Sequence, residues 1–151
     1  MQSQLDIQLH NRKIFHHYLK HFSLEQLNKI PEGFNNNILW NIAHTIVTQQ
    51  MLMYKRAGLS INVPNEWEIA FAKGSKPELD FTAEEVREID AALFSTYEKF
   101  EADLAQGRFA KLQPYTTSTN MVLDNVETTQ NFILFHDGIH IGSILALAKL
   151  V

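Results

Sequence analysis

A chain of 151 residues, 45% hydrophobic and 20% charged, has the size and composition of one globular domain spanning residues 1–151, which excludes a largely disordered protein. It has no cysteine, and this excludes disulfides, iron–sulfur clusters, thiolate zinc sites and cysteine nucleophiles. Net charge is −4 with scattered lysines and arginines, so a nucleic-acid partner is not expected; with no basic-then-apolar leader in residues 1–10 and no apolar run near the roughly 18 residues of a membrane span, a soluble, cytoplasmic protein is expected.

Helical periodicity appears first over residues 5–22, where Leu5, Leu9, Ile14, Phe15, Tyr18, Leu19 and Phe22 give an apolar face. Ser23 and Gln26 have capping-box spacing for a short following turn, which the segment Pro31-Glu-Gly33 ends. A second helix begins at Asn35-Asn-Asn37, whose side chains can accept from unpaired first-turn amides. It closes at Lys55, Arg56 and Gly58, two cations at the negative end of the dipole before a residue suited to a left-handed cap. Residues 59–81 read as an excursion, with turn signals at Pro64 and at Lys73-Gly-Ser-Lys-Pro77 around a helical patch over 66–72. The third helix starts at Thr82, with Glu85 three positions on, and continues to Gly107. Residues 113–120 are rich in turn formers, with Tyr115 and Thr116 as a short extended piece. The fourth helix opens at residues 124–127 and runs almost to Val151. With no sustained strand alternation, the expectation is an all-α four-helix bundle with a long connector between its second and third long helices.

The most informative residues are His136 and His140, one turn apart on the fourth helix among Phe132, Ile133, Ile144 and Leu147. Side chains four apart on a helix lie about 40° from each other, so two imidazoles can reach one metal ion. A satisfied polar network is the alternative reading of such a pair. His44 supplies a third imidazole on the stripe shared by Trp40, Val47 and Met51, and favours the metal. Three neutral imidazoles leave at least one coordination position open, as in catalytic zinc sites, where a bound water's pKa falls from 15.7 to about 7. All-nitrogen ligation suits zinc, nickel, iron or copper. A ferritin-like pair of metals would need carboxylates from several helices, and only Asp137-Gly-Ile-His140 approximates that motif. His136-Asp-Gly-Ile-His140 also mimics a zinc-protease motif with Asp for Glu, but Asp137 reads better as solvent-facing or as a partner of a metal ligand.

His10, His16, His17 and His21 cluster on the first helix beside Arg12, Lys13 and Lys20, and a cationic surface is a poorer metal site. Asn41 and Thr48, each about one turn from His44, are candidate partners of the site, and Lys73 is a candidate contact for substrate charge. Trp67 and Phe71 read either as a lid or as connector packing. Gly138 and Gly142 each cost about 1 kcal/mol of helix propensity relative to alanine, which predicts a close backbone approach on that side.

Three segments, Trp40-Asn-Ile-Ala-His44, Phe71-Ala-Lys-Gly-Ser-Lys-Pro77 and Phe135-His-Asp-Gly-Ile-His-Ile-Gly142, give the chain a resemblance over nearly its whole length to the DinB-like superfamily of metal-binding four-helix bundles. That group also contains thiol-dependent S-transferase and maleylpyruvate-isomerase bundles. The resemblance implies a divalent metal on His44, His136 and His140, with zinc or nickel ahead of iron or manganese. It implies a metal-dependent hydrolase or S-transferase acting on a small electrophilic molecule, with a low-molecular-weight thiol as a candidate co-substrate, in a homodimer; a non-catalytic metal-stabilised stress or binding module is the alternative. Many relatives carry a polar residue, often Gln, directly after the glycine of the last segment, where this chain has Ser143 followed by Ile144.

Overall fold

The computed structural model describes residues 1–151 and is all-α apart from one two-stranded ribbon. The elements are α1 (Gln2–His21), α2 (Leu24–Asn28), α3 (Ile38–Gln49), α4 (Trp67–Ala70), α5 (Ala83–Ala105), β1 (Tyr115–Thr116), β2 (Val122–Leu123) and α6 (Val126–Leu147). No helix is long and apolar enough to cross a membrane.

Local sequence explains most of the helix starts. Ser23 with Gln26, Thr82 with Glu85, and Asn125 with Thr128 each form a capping box, and Asn37 Oδ1 accepts from the Trp40 amide at 2.7 Å. The helical path after α3 reaches Gly58, as expected, but changes character on the way. Residues Gln50–Tyr54 form a π-helical turn and Lys55–Ala57 a 3₁₀ turn, before Gly58 takes φ +73°. Leu52, Met53 and Tyr54 of the widened turn are all buried and continue the buried run that α3 begins at Ile38.

The four long helices close a ring in which α1 packs against α5 and α6, and α3 against α5 and α6. Two apolar clusters lie along the bundle. One gathers Phe15, Ile42, Ile46, Leu93 and Ile144, and the other Leu5, Met53, Phe100, Phe109 and Ile133. The order in which each helix meets these clusters makes α3 run parallel to α5 and α1 parallel to α6. A parallel pair needs a crossover along the bundle, and residues 58–82 supply it.

A layer of fully buried polar side chains separates the clusters: Gln8 and Arg12 from α1, Thr45 and Gln49 from α3, Gln130 and Asp137 from α6. Arg12 crosses the bundle axis to donate to Thr45 Oγ1 at 3.3 Å and to Gln49 Oε1 at 3.1 Å. Gln130 Nε2 donates to Gln8 Oε1 at 2.9 Å, and Asn11 Nδ2 reaches Asp137 Oδ2 at 3.4 Å. Burial pushes the Asp137 carboxyl up to about 6, against the opposing pull of the Arg12 charge and the Asn11 amide. The structure corrects two expectations. Asp137 faces α1 in the interior instead of solvent, and Arg12 belongs to the core instead of a cationic surface, because its long stem can reach the diagonal helix.

Gly138 and Gly142 are also corrected. A Cβ at either would meet nothing within 4 Å, so no backbone approaches them. Replacing either glycine with alanine is expected to stabilise the fold by up to about 1 kcal/mol through helix propensity, read as a raised urea midpoint. Arg12→Ala, which leaves Asp137 buried with its nearest countercharge gone, is expected to cost about 3–5 kcal/mol in the same measurement.

Candidate metal centre

The α3–α6 seam brings His44, His136 and His140 together, with one ligand-capable ring nitrogen from each lying within 4.8 Å of the others. His44 is buried, and the α6 pair sits half-buried at the cavity-facing edge of that helix's core stripe. Trp40, one turn before His44, stacks on its ring at 4.6 Å and 9°. His44 Nδ1 donates to the Phe71 carbonyl at 2.6 Å, which fixes the proton on Nδ1 and leaves the Nε2 lone pair free. Asn41 does the same for His140. Its Nδ2 donates to the Asn37 carbonyl at 2.7 Å, so its Oδ1 is turned to accept from His140 Nδ1 at 2.8 Å. His136 Nε2 lies 3.2 Å from His44 Nε2, and its Nδ1 has no partner.

These features fit a cation. Two nitrogens bound at about 2.0–2.1 Å to a tetrahedral ion stand about 3.3 Å apart, close to the His44–His136 separation. Two of the rings are oriented through their distal nitrogens by a carbonyl and an amide, the arrangement that sets tautomers in metal sites. Burial lowers the pKa of all three. His44 is lowered against the opposing effect of the Phe71 carbonyl; His136 falls to about 4, with His44 adding to burial; His140 falls to about 3, with His136 and His44 both adding. At neutral pH all three rings are therefore uncharged and have lone pairs to give.

Above the histidines opens a cavity of about 570 Å³, within the usual range for small-molecule sites. Val47, Met51, Phe71, Phe132 and Ile139 contribute apolar walls, and Thr117, Ser118 and Thr119 at the β1–β2 tip contribute hydroxyls. Thr48 also lines it, with Oγ1 3.4 Å from His44 Nε2. Lys73 lines it from the connector. Trp67 and Phe71 pack edge to face at 5.5 Å in the core cluster, and Phe71 additionally forms a wall.

Asn41 is thus brought to the site, though its bond goes to His140 on the facing helix and not to His44. The first-helix histidines stay apart from it. His10, His17 and His21 are exposed, and His16 Nδ1 sits 2.6 Å from Asp90. Two parts of the site went unread in the sequence. The Phe71 carbonyl is a backbone atom without a residue-type signal, and the hairpin tip joins the cavity only through tertiary packing.

The sequence profile of the DinB superfamily matches residues 9–144, and the chain belongs to that family. No curated protein and no solved structure matches the chain.

The histidine pKa values set a pH dependence for the metal-free protein. Each folded-state value lies below the unfolded value of about 6.5, so as pH falls the unfolded chain takes up protons that the folded chain refuses. Stability from this source is full above about pH 6.5 and is expected to fall as pH drops from there toward about 4. Urea midpoints at pH 7 and pH 5 measure it, and the fall should be shallower in His136→Ala.

Proposed function

We propose that this DinB-superfamily bundle holds one divalent cation, zinc or nickel ahead of iron or manganese, on His44, His136 and His140, as a metal-dependent hydrolase or thiol S-transferase for a small electrophilic molecule. The observation that carries this reading is the approach of the Nε2 atoms of His44 and His136, both neutral, to 3.2 Å, with His140 beside them, in a roomy, mainly apolar cavity. A cation bound there supplies Lewis acidity to a water or a low-molecular-weight thiol.

The chain's own residues do the rest. The Phe71 carbonyl and Asn41 hold protons on Nδ1 of His44 and His140, so both present Nε2. Trp40 keeps the His44 ring in plane by stacking. Val47, Met51 and Phe132 give the cavity apolar walls, and a lowered local dielectric beside them strengthens electrostatic interactions. Thr48 Oγ1 is the hydroxyl placed to hydrogen-bond a nucleophile beside His44.

One observation favours a second reading, a non-catalytic metal-stabilised stress or binding module. No unpaired carboxylate faces the cavity to act as general base: Glu68 is paired with Lys55, and Asp137 points to α1. A cation at 1,000 times its dissociation constant would add about 4 kcal/mol by joining α3 to α6. A cytoplasmic homodimer is part of either proposal, and exposed Phe135, Ile139 and Leu145 on α6 offer apolar surface for it.

Elemental analysis of untagged protein is expected to find one equivalent of metal, absent from His44→Ala and His136→Ala. Asn41→Leu should retain the helical circular dichroism spectrum while weakening metal affinity about 10–100-fold. Turnover of thiol conjugation or ester hydrolysis with metal restored separates the enzyme from the module.

A further inference from the structure

The β1–β2 hairpin borders the cavity through Tyr115, Thr117, Ser118 and Thr119. Within it the Thr117 amide donates to the Met121 carbonyl at 2.9 Å, and the Met121 amide donates to Thr117 Oγ1 at 3.1 Å. Such bonds shape the hairpin without placing it. Every hydrogen bond that leaves residues 113–123, apart from one between Gln113 Nε2 and the nearby Lys111 carbonyl, ends on Arg56.

Arg56 lies in the 3₁₀ turn that ends the path from α3. Its carbonyl accepts from the Gln113 amide at 3.0 Å, and its Nη2 donates to the Gln113 carbonyl and, at 2.8 Å, to the Leu123 carbonyl. Its guanidinium carbon sits 5.6 Å from the centre of the Tyr115 ring. Both strands of the hairpin therefore meet one side chain. Nη1 donates to the Leu52 carbonyl at 3.2 Å and to Thr129 Oγ1 at 3.4 Å, so the same group also joins the end of the α3 path to the first turn of α6. A planar guanidinium with five donors can serve acceptors on two edges while lying against an aromatic ring, and an ammonium cannot. Leu123, fully buried in the core, fixes the β2 end by packing and leaves the β1 side and the tip to Arg56. Arg56 itself does not border the cavity.

We propose that Arg56 is the positioning residue for the hairpin wall of the cavity, and that it thereby sets how tightly the cavity holds a ligand while taking no part in metal binding. Its role in ligand binding rests on this cavity being the ligand site proposed above; its hold on the hairpin does not.

Arg56→Gln removes the guanidinium, and Arg56→Lys keeps the charge at the helix end without the fork. In both, the Thr117 and Met121 amides are expected to exchange hydrogen about tenfold faster or more, the worth of one hydrogen bond to a charged group, with α1 and α5 amides unchanged. Binding of the neutral probe 2-naphthamide to metal-free protein, read by the probe's fluorescence anisotropy, should weaken about fivefold through lost apolar contact. Zinc affinity, measured by competition with a chromophoric chelator, should stay at its wild-type value. Unaltered exchange in the hairpin, acceleration that spreads equally to α1 and α5, or wild-type behaviour restored by Arg56→Lys overturns the proposal. So does 2-naphthamide binding that is unchanged or tighter in the variants, or absent from wild type. A wild-type protein that takes up no zinc yet gives the expected exchange and probe results retires the metal reading and leaves the role of Arg56 standing.

Discussion

The hydrogen bond from His44 Nδ1 to the Phe71 carbonyl is the constraint on which the site is built. It joins a bundle helix to a connector that has almost no regular structure of its own, and it does so at the residue whose other nitrogen faces α6. One bond sets the imidazole tautomer, places Phe71 as a wall of the cavity, and brings the turn with Lys73 to its rim. Trp40 reinforces it by stacking on the ring while its indole nitrogen holds the Ala70 carbonyl. The connector is thus more than a crossover between parallel helices, because the stretch pinned to α3 supplies part of the cavity lining.

The bundle also carries a costly feature at mid-height. Arg12 and Asp137 are wholly buried, and Arg12 Nε and Asp137 Oδ1 find no partner. Desolvating such groups costs several kcal/mol, which their mutual attraction only partly returns, so an apolar layer would be as stable or more so. What the layer does provide is register. Arg12 is bonded to Thr45, the neighbour of His44, and Asn11 to Asp137, the neighbour of His136, so α1 is bonded to the residues adjacent to both facing imidazoles. Apolar side chains tolerate sliding by a fraction of a turn, whereas directional hydrogen bonds do not.

The helix ends were the most legible part of the sequence, since capping is decided within four residues: Ser23 with Gln26 and Thr82 with Glu85 cap as their spacing implies. The long connector after Gly58 and the extended pair Tyr115–Thr116 were legible for the same reason, through local turn chemistry. The π-helical turn was not, because residues 50–54 carry no turn former or breaker that would mark a widened turn. Glycine misled in the opposite direction: at Gly138 and Gly142 a propensity cost suggested a close neighbour, and the structure has open space.

The His136–His140 pair was fixed by sequence alone, because the pitch of one helix dictates that side chains four apart share a face. Which third imidazole completes the group was suggested by pattern but could be decided only by tertiary structure. His17 and His21 have the same spacing, and their rings even stack at 4.0 Å, yet they lie on the surface of α1 and no third ligand-bearing side chain joins them. His44 meets the α6 pair because α3 and α6 are neighbours in the ring of helices, and Asp137, beside His136 in sequence, is turned about 100° away from it toward α1. Helix geometry belongs to the local chain, and the choice of facing helix belongs to packing of the whole core, which no stretch of sequence holds by itself.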